Sequence, residues 1–455
     1  MATRFDRTFG TATSRKIMTF SFWCKRAKIL NSAYYFPIFH MAQSGIYTLL
    51  DFNDTYNLRV LDSNGTDLVT TRLFRDTSAW YHIVVSIDTT QATASNRIKM
   101  YVNGVQETLF GTATYPSLNA DMSWNNNVLN SIGQHSSALD YYYDGLLASV
   151  YFIDGQALTQ TSFGKTDATT GIWKPKSYSG SYGTNGFFLK FENSGSLGTD
   201  SSGNGNNFSI ATGTPTQTID TPSNVFCTLN PLYGNGSYSF EHGNNSLEGN
   251  NTNNWGIAVP ATLGATSGKY YWEVKQVAGS HTDYNLFGFI QTDYSYIGSN
   301  LISTEYLNGI QTHSSTTVTV YNGANATTYL AIGGSQVSVS DNDIVSFALD
   351  LDNQKCWVAK NGVWSDDLNG NVGNPSTGAN ALWTSSVIPS GQVYSPVSIQ
   401  YYDPKCQYNF GNGYFGTTAV SSAENPDDGI GIFEYEVPAG YKALCTKSIN
   451  AQEYN

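Results

Sequence analysis

Turn punctuation constrains this chain more than any other feature. Short runs rich in Val, Ile, Tyr, Phe and Thr are cut every eight to twelve residues or so by Asn-Gly, Asp-Gly, Ser-Gly or Gly-Gly. A helix would need apolar residues three and four apart over ten or more positions, and such segments are hard to find. The rhythm predicts an all-β protein built of antiparallel β-sandwiches of the jelly-roll kind. At 455 residues there is room for about two or three such domains. Aromatic residues make up 14% of the chain and charged residues only 13%, whereas a disordered chain has few aromatics and a high charge per residue. The chain should therefore be folded throughout.

Charge narrows the partners. Against 23 basic side chains stand 35 acidic ones, a net charge of −12, which opposes binding to nucleic acid or anionic lipid through counterion release. No run of about 18 apolar residues predicts a membrane span. The opening MATRFDRTFGTATSRKIM has no apolar stretch of signal-peptide length, so neither membrane insertion nor Sec export is expected. The cysteines (Cys24, Cys227, Cys356, Cys406, Cys445) are odd in number and far apart. Reduced thiols packed as small apolar groups, made in a reducing cytoplasm, are expected rather than a disulfide scaffold or zinc site.

Residues 1–175 read as one sandwich. TFSFWC (19–24) should turn Phe20, Phe22 and Cys24 inward and Thr19, Ser21 and Trp23 outward. WYHIVVSID (80–88) and RIKMYVNG (97–104) are further strands, the second ending at Asn103-Gly104, a pair that tolerates positive φ at both centres of a hairpin turn. DGLLASVYFIDGQAL (144–158) is apolar on both faces, as a strand buried by two packed sheets would be. Gly, Ser, Asn and Pro dominate 176–230, a connector in which FFLKF adds one strand to a neighbouring sheet. A second sandwich is expected over 231–455, from KYYWEVKQV (269–277), NLFGFIQ (285–291), DIVSFALDLDN (343–353), KCWVAKNG (355–362), SPVSIQYY (395–402) and CQYNFG (406–411).

Four motifs in order, TFSFWCKRA, WYHIVVSID, IKMYVNGV and SIGQ…YDGLLASVYF, make residues 5–165 resemble a laminin-G-like, concanavalin A-like jelly roll. GKYYWEV, NLFGFI, ALDLDNQKCWVAKNGVW and SPVSIQYYDPKCQYNFG make the second half similar to a SPRY domain. The strings LGTDSSGNGNNF…DTPSN and VPAGYKALCT resemble segments of tailed-bacteriophage virion proteins, where the two modules occur in tandem. That resemblance implies a non-enzymatic protein of the phage particle, an adhesive tail-fibre-type appendage or a purely structural tail or capsid decoration, with a glycan-degrading enzyme as the third and least favoured reading. Its partners would be other virion proteins or a host surface polysaccharide, and it would be a homo-oligomer, a trimer among the arrangements implied. Fold likeness alone does not fix function.

Catalytic templates are poorly met. Glycoside hydrolysis needs two carboxyls roughly 5 to 10 Å apart, supplied in a strand by acids at i and i+2 or i+4. Asp350 and Asp352 alternate correctly but close a hairpin, where turn capping is expected. Glu434 and Glu436 in FEYEV read as the solvated face of an edge strand. No Gly-x-Ser-x-Gly elbow occurs, and the histidines (His40, His82, His135, His242, His281, His313) lack metal-ligand spacing. His82 is expected to be a hydrogen-bonded structural residue. Gly411, Gly413 and Gly416 spell Gly-x-Gly-x-x-Gly without a βαβ context and read as a loop. No catalytic residue and no organic cofactor is expected. Calcium has a weak claim: Asp200, Asn204 and Asn206 in DSSGNGNN supply oxygen ligands from one loop, with Asp140 and Asp144 a weaker set, although a plain turn is the simpler reading.

The aromatic surplus points to ligand binding. A sugar ring presents an apolar C–H face that stacks on an exposed Tyr or Trp, while neighbouring Asn or Asp side chains take its hydroxyls. Two loops meet that description: DMSWNNNV, with Trp124, Asn125 and Asn126, and LDYYYDG, with Tyr141, Tyr142 and Tyr143. Three consecutive aromatics in an alternating strand cannot all point inward, so at least one tyrosine should be exposed or in an interface.

Overall fold

The alternation in TFSFWC becomes the strand Ile17–Arg26, whose Phe20, Phe22 and Cys24 enter the core as expected. On the opposite face Thr19, Ser21 and Trp23 are buried as well. Phe163, Tyr178 and Tyr182, from the stretch that follows the strand Gly145–Asp154, lie over that face with Val84, Tyr101, Tyr151, Ile153 and Phe188. The same cover explains the doubly apolar strand: Val150 and Phe152 face the core between the sheets, and Tyr151 and Ile153 face this outer layer. A returning loop segment, not a second sheet, buries its outer side.

In a computed structural model of the chain, the described residues are 2–28, 35–43, 46–138, 141–233, 238–250, 257–278, 284–292, 307–313, 316–323 and 325–453. They fall into two units, Met1–Gln217 with Thr221–Ser223, and Thr218–Asp220 with Asn224–Asn455. In the first unit a six-stranded sheet runs in the order Phe187–Leu189, Gly145–Asp154, Ile17–Arg26, Trp80–Asp88, Ile98–Val102, Val105–Gln106. An eight-stranded sheet runs Phe110–Thr114, Thr66–Leu73, Asn57–Asp62, Ile46–Phe52, Phe36–Gln43, Leu129–Ile132, Arg4–Thr8, Ser209–Thr212. Between them packs a core that includes Phe20, Phe22, Phe39, Phe52, Trp124 and Phe152. The stretch expected as a connector supplies two strands here, Phe187–Leu189 beside Gly145–Asp154 and Ser209–Thr212 beside Arg4–Thr8.

The second unit repeats the plan. One sheet carries Tyr238–Glu241, Ser246–Gly249, Lys405–Asn409, Lys269–Ala278, Ile344–Asp350, Lys355–Lys360 and Val363–Trp364 in that order, with Lys442–Ala443 added in parallel to Lys269–Ala278. The other carries Val259–Pro260, Tyr394–Tyr401, Tyr284–Gln291, Leu307–His313, Thr316–Asn322 and Asn325–Tyr329. Trp272, Phe287, Phe347, Trp383 and Tyr408 fill the space between. Outside the first of these sheets, Phe433, Val437 and Tyr441 cover Tyr271, Ala348 and Trp357. FEYEV belongs to this covering strap and is not an edge strand, because Phe433 is drawn into the apolar layer. The helix Thr446–Glu453, which no periodicity announced, ends the described chain.

Both Asn-Gly pairs turn as expected, with φ of 47° and 84° at Asn103 and Gly104 and 49° and 78° at Asn361 and Gly362. All five cysteines are free and buried.

Candidate functional site

At the end of the first unit where Gly145 pairs with Arg26, residues 133–135 run beside 141–143, with His135 N donating to Tyr141 O (2.9 Å) and Tyr143 N to Gly133 O (2.7 Å). The imidazoles of His40 and His135 stack at 3.7 Å and support this loop from below. Their Nδ1 atoms accept from the backbone of the loop: Ala138 N reaches His135 at 2.9 Å and Ser136 N reaches His40 at 3.4 Å. Burial, the neighbouring His135 and Arg4 push His40 down to about 3, and burial lowers His135, so both rings are neutral near pH 7.

The three tyrosines separate by role. Tyr143 is buried, and its hydroxyl donates to Lys25 O at 2.8 Å. Tyr141 and Tyr142 are half-buried. Tyr141 meets Tyr35 edge-on at 5.3 Å, and Tyr142 lies under the Lys28 ammonium, 5.4 Å from the ring centroid. The tip of this loop is the place where the sequence-derived candidates reach the surface together.

The other predicted loop does not join it. Trp124 is 2% exposed and packs on Phe20 at 5.1 Å, so the expectation of a surface tryptophan fails: its ring is a core side chain. Asn125 is buried too. Its Nδ2 donates to Ser14 O and to Asp154 Oδ1 (2.6 Å), and its Oδ1 accepts from Asn185 Nδ2 (2.8 Å). Asn125 thus staples loops together and is buried out of reach of a sugar. Only Asn126 is half-exposed. Met18 pairs with Asp154 at this end of the sheet and Arg26 with Gly145 at the other, which puts the two loops about 30 Å apart at the rise of an extended strand.

The proposed calcium loop is also a staple. Asp200 accepts from Phe188 N, Ser202 N and Asn206 N. Asn204 Nδ2 donates to Gly183 O and Gly186 O, and Asn206 Nδ2 to Thr184 O and Gly186 O, so both amides offer donors inward where a cation needs oxygens. The remaining oxygen of Asn206 accepts from the Arg7 guanidinium. The loop is a turn locked by its own side chains. Asp140 and His281 lie outside the described residues. Among the described residues no three His, Cys, Asp or Glu side chains gather as metal ligands.

Two constellations come nearest to catalysis. His82 Nε2 lies 3.0 Å from Ser21 Oγ, and Trp173 Nε1 donates to His82 Nδ1 at 2.9 Å. An indole N–H can only donate, so Nδ1 holds the lone pair and Nε2 carries the proton. His82 therefore donates to Ser21 and cannot serve as its base. Both are shut away, Trp23 stacking on His82 at 4.7 Å and burial pushing the ring down to about 3. Trp173 in turn lies against Gly104 and Gly164, where any side chain would strike the indole.

In the second unit Glu273 is fully buried, and burial pushes its carboxyl up to about 7 against four donors: Glu434 N, Tyr435 N, Asn409 Nδ2 and Tyr271 Oη. It pins the covering strap to the sheet, and the Glu434 side chain turns away to Ser421. Asp350 and Asp352 cap the turns as expected, accepting from Asn353 N and Gly268 N. Gly411 and Gly413 direct their N–H groups to Asn409 Oδ1, which occupies the place a phosphate would take.

Residues 7–163 match the family model described as the concanavalin A-like lectin/glucanases superfamily. Among solved structures, the SPRY domain of human HERC1 is similar at 16% identity and a TM-score of 0.28, over 40% of this chain and 96% of that one. The TRIM65 PSpry domain is similar at 11% identity and a TM-score of 0.27, over 40% and 91%. No curated protein matches the chain. The architecture is two antiparallel β-sandwich units, and the match over residues 7–163 gives the first of them a concanavalin A-like, generic lectin-like fold.

Proposed function

We propose that this protein is a non-catalytic, glycan-binding appendage of a bacteriophage particle, seating a host surface sugar on the loop tip at Tyr141 and Tyr142. The observation that carries the reading is the pair of half-exposed tyrosines on a loop held rigid by the His40–His135 stack. A rigid, low-entropy aromatic platform is what a sugar face needs. The inert geometries at Ser21–His82 and at Glu273 support binding without turnover.

Tyr142→Ala should lower affinity for a bound host-envelope oligosaccharide about tenfold on a glycan array, with the thermal transition unchanged. Equal binding by the variant, or an array blank for the wild type, would remove the reading. A second reading, docking on another virion protein or a second copy, is favoured by the open edge strand Phe110–Thr114, which has no charged residue. The exposed side chain of Leu109 (69%) immediately precedes it. Imaging of particles with that edge sealed and the tyrosine tip covered would select it.

A further inference from the structure

The first unit gathers cations on aromatic rings beside the tyrosine tip. Arg26 is 1% exposed, and its guanidinium lies over Phe52 (4.7 Å), Phe36 (5.2 Å) and Tyr56 (5.9 Å). Its hydrogen bonds go to two carbonyls, Phe74 O at 2.7 Å and Lys28 O at 3.4 Å, and to no carboxylate. Arg75, which is exposed, stacks on the same Tyr56 ring at 4.9 Å. Lys28 stacks on Tyr142. Among the described residues none of these three cations has an ion pair, although Arg59 and Arg72 close by are paired with Asp51 and Glu107.

Aromatic rings and backbone carbonyls, rather than carboxylates, hold these three cations. Two guanidiniums on one ring repel each other, and cation–π attraction at an exposed site is weak, about 0.5–1 kcal/mol. The nearby acids do not relieve them: Asp76 is taken up by Ser78, and Asp54 makes no ion pair with any of the three. What the cluster lacks is a small anion carried on something that stacks.

We infer that the glycan of the tyrosine tip is an acidic sugar, its ring stacked on Tyr142 and its carboxylate or phosphate drawn by the Lys28 ammonium and the exposed Arg75 guanidinium. This rests on the glycan-binding reading and adds the charge of the ligand. Arg26, locked beneath, fixes Tyr56 and adds positive potential without touching solvent. A short acidic oligosaccharide suits the site better than a long polyanion, which the negative charge of the rest of the molecule repels.

The test is calorimetric titration of the intact chain with three probes: an oligogalacturonate, its methyl ester, and a phosphomannose oligomer. Tighter binding of one or both acidic probes than of the ester, by about tenfold and weakening with added salt, is expected. Whichever acid binds tighter identifies the anion. Lys28→Ala and Arg75→Ala, both at the surface, should each remove most of that preference while leaving the melting temperature in place. Ester bound as tightly as acid, or both variants indistinguishable from wild type, overturns the acidic ligand but leaves glycan binding standing. No binding of any probe, together with a blank neutral glycan array, overturns both.

Discussion

Replacing Asp154 by alanine is expected to cost the first unit about 4 kcal/mol of stability, the largest effect of any single side chain considered. The carboxylate is 1% exposed and accepts four hydrogen bonds, from Thr13 N (2.8 Å), Ser14 N (3.0 Å), Asn185 N (3.0 Å) and Asn125 Nδ2 (2.6 Å). It ties the loop before Ile17–Arg26, the loop carrying Asn125, and the start of the segment 185–189 to the end of its own strand. Hydrogen bonds to a charged group contribute roughly 1.5–3 kcal/mol each, and a buried donor left unpartnered costs about 1–3 kcal/mol, partly relieved if water enters. Asp154→Asn keeps the volume but turns an amide N–H toward donors, and should lose about 2 kcal/mol. Denaturant titration measures both, as a lower midpoint of the first unit's transition. A loss under about 1 kcal/mol for Asp154→Ala would mean that the network is decorative.

The first unit should also weaken in mild acid. Burial pushes both His40 and His82 from 6.5 down to about 3, with His135 and Arg4 adding to the effect on His40. A depressed histidine is neutral in the folded state where the unfolded chain would bind a proton. Its contribution is therefore fully present above pH 6.5 and is lost as pH falls toward 3. At pH 5 the loss is about 2 kcal/mol per ring, or about 4 kcal/mol for both. Hydrogen exchange in the strands Ile17–Arg26 and Trp80–Asp88 should accelerate accordingly between pH 7 and 5, after correction for the intrinsic rate. His82→Phe should be less stable at pH 7.5, having stranded Ser21 and Trp173, yet show a shallower fall. An unchanged slope in that variant would exonerate His82. Glu273 has the opposite sign: its carboxyl, raised from 4.5 to about 7, adds stability to the second unit as pH falls through 7.

Much of this architecture was legible in the residues. Period-two alternation placed Phe20, Phe22 and Cys24, and the Asn-Gly pairs announced their hairpins, because both signals are local. What escaped was long-range cover. Ser21 and Trp23 look like a solvent face until residues 156–186 return over them, and nothing in their own neighbourhood says so.

The candidate site suffered from the same blindness. Trp124 and Asn125 sit in a polar, turn-like string, and the string is turn-like because Asn125 supplies hydrogen bonds to Asp154 and Ser14, distant in sequence. Of the six ligand-binding candidates, Tyr141, Tyr142 and Asn126 keep surface exposure. The cations on Tyr56 and Tyr142 leave no local signal, because each ring is at least 19 residues from the cation it meets. The helix Thr446–Glu453 was missed since TKSINAQE offers almost no apolar stripe; it is held instead by contacts such as Gln452 to Lys269 and Glu453 to Thr266.

The central claim is that the rim of the first sandwich holds a saccharide and leaves it intact. Incubating the intact protein with a short host-envelope oligosaccharide, while following bound ligand and free reducing ends together, tests it in one vessel. Saturable binding with a flat reducing-end trace is the predicted result; reducing ends that rise in proportion to protein added would contradict it.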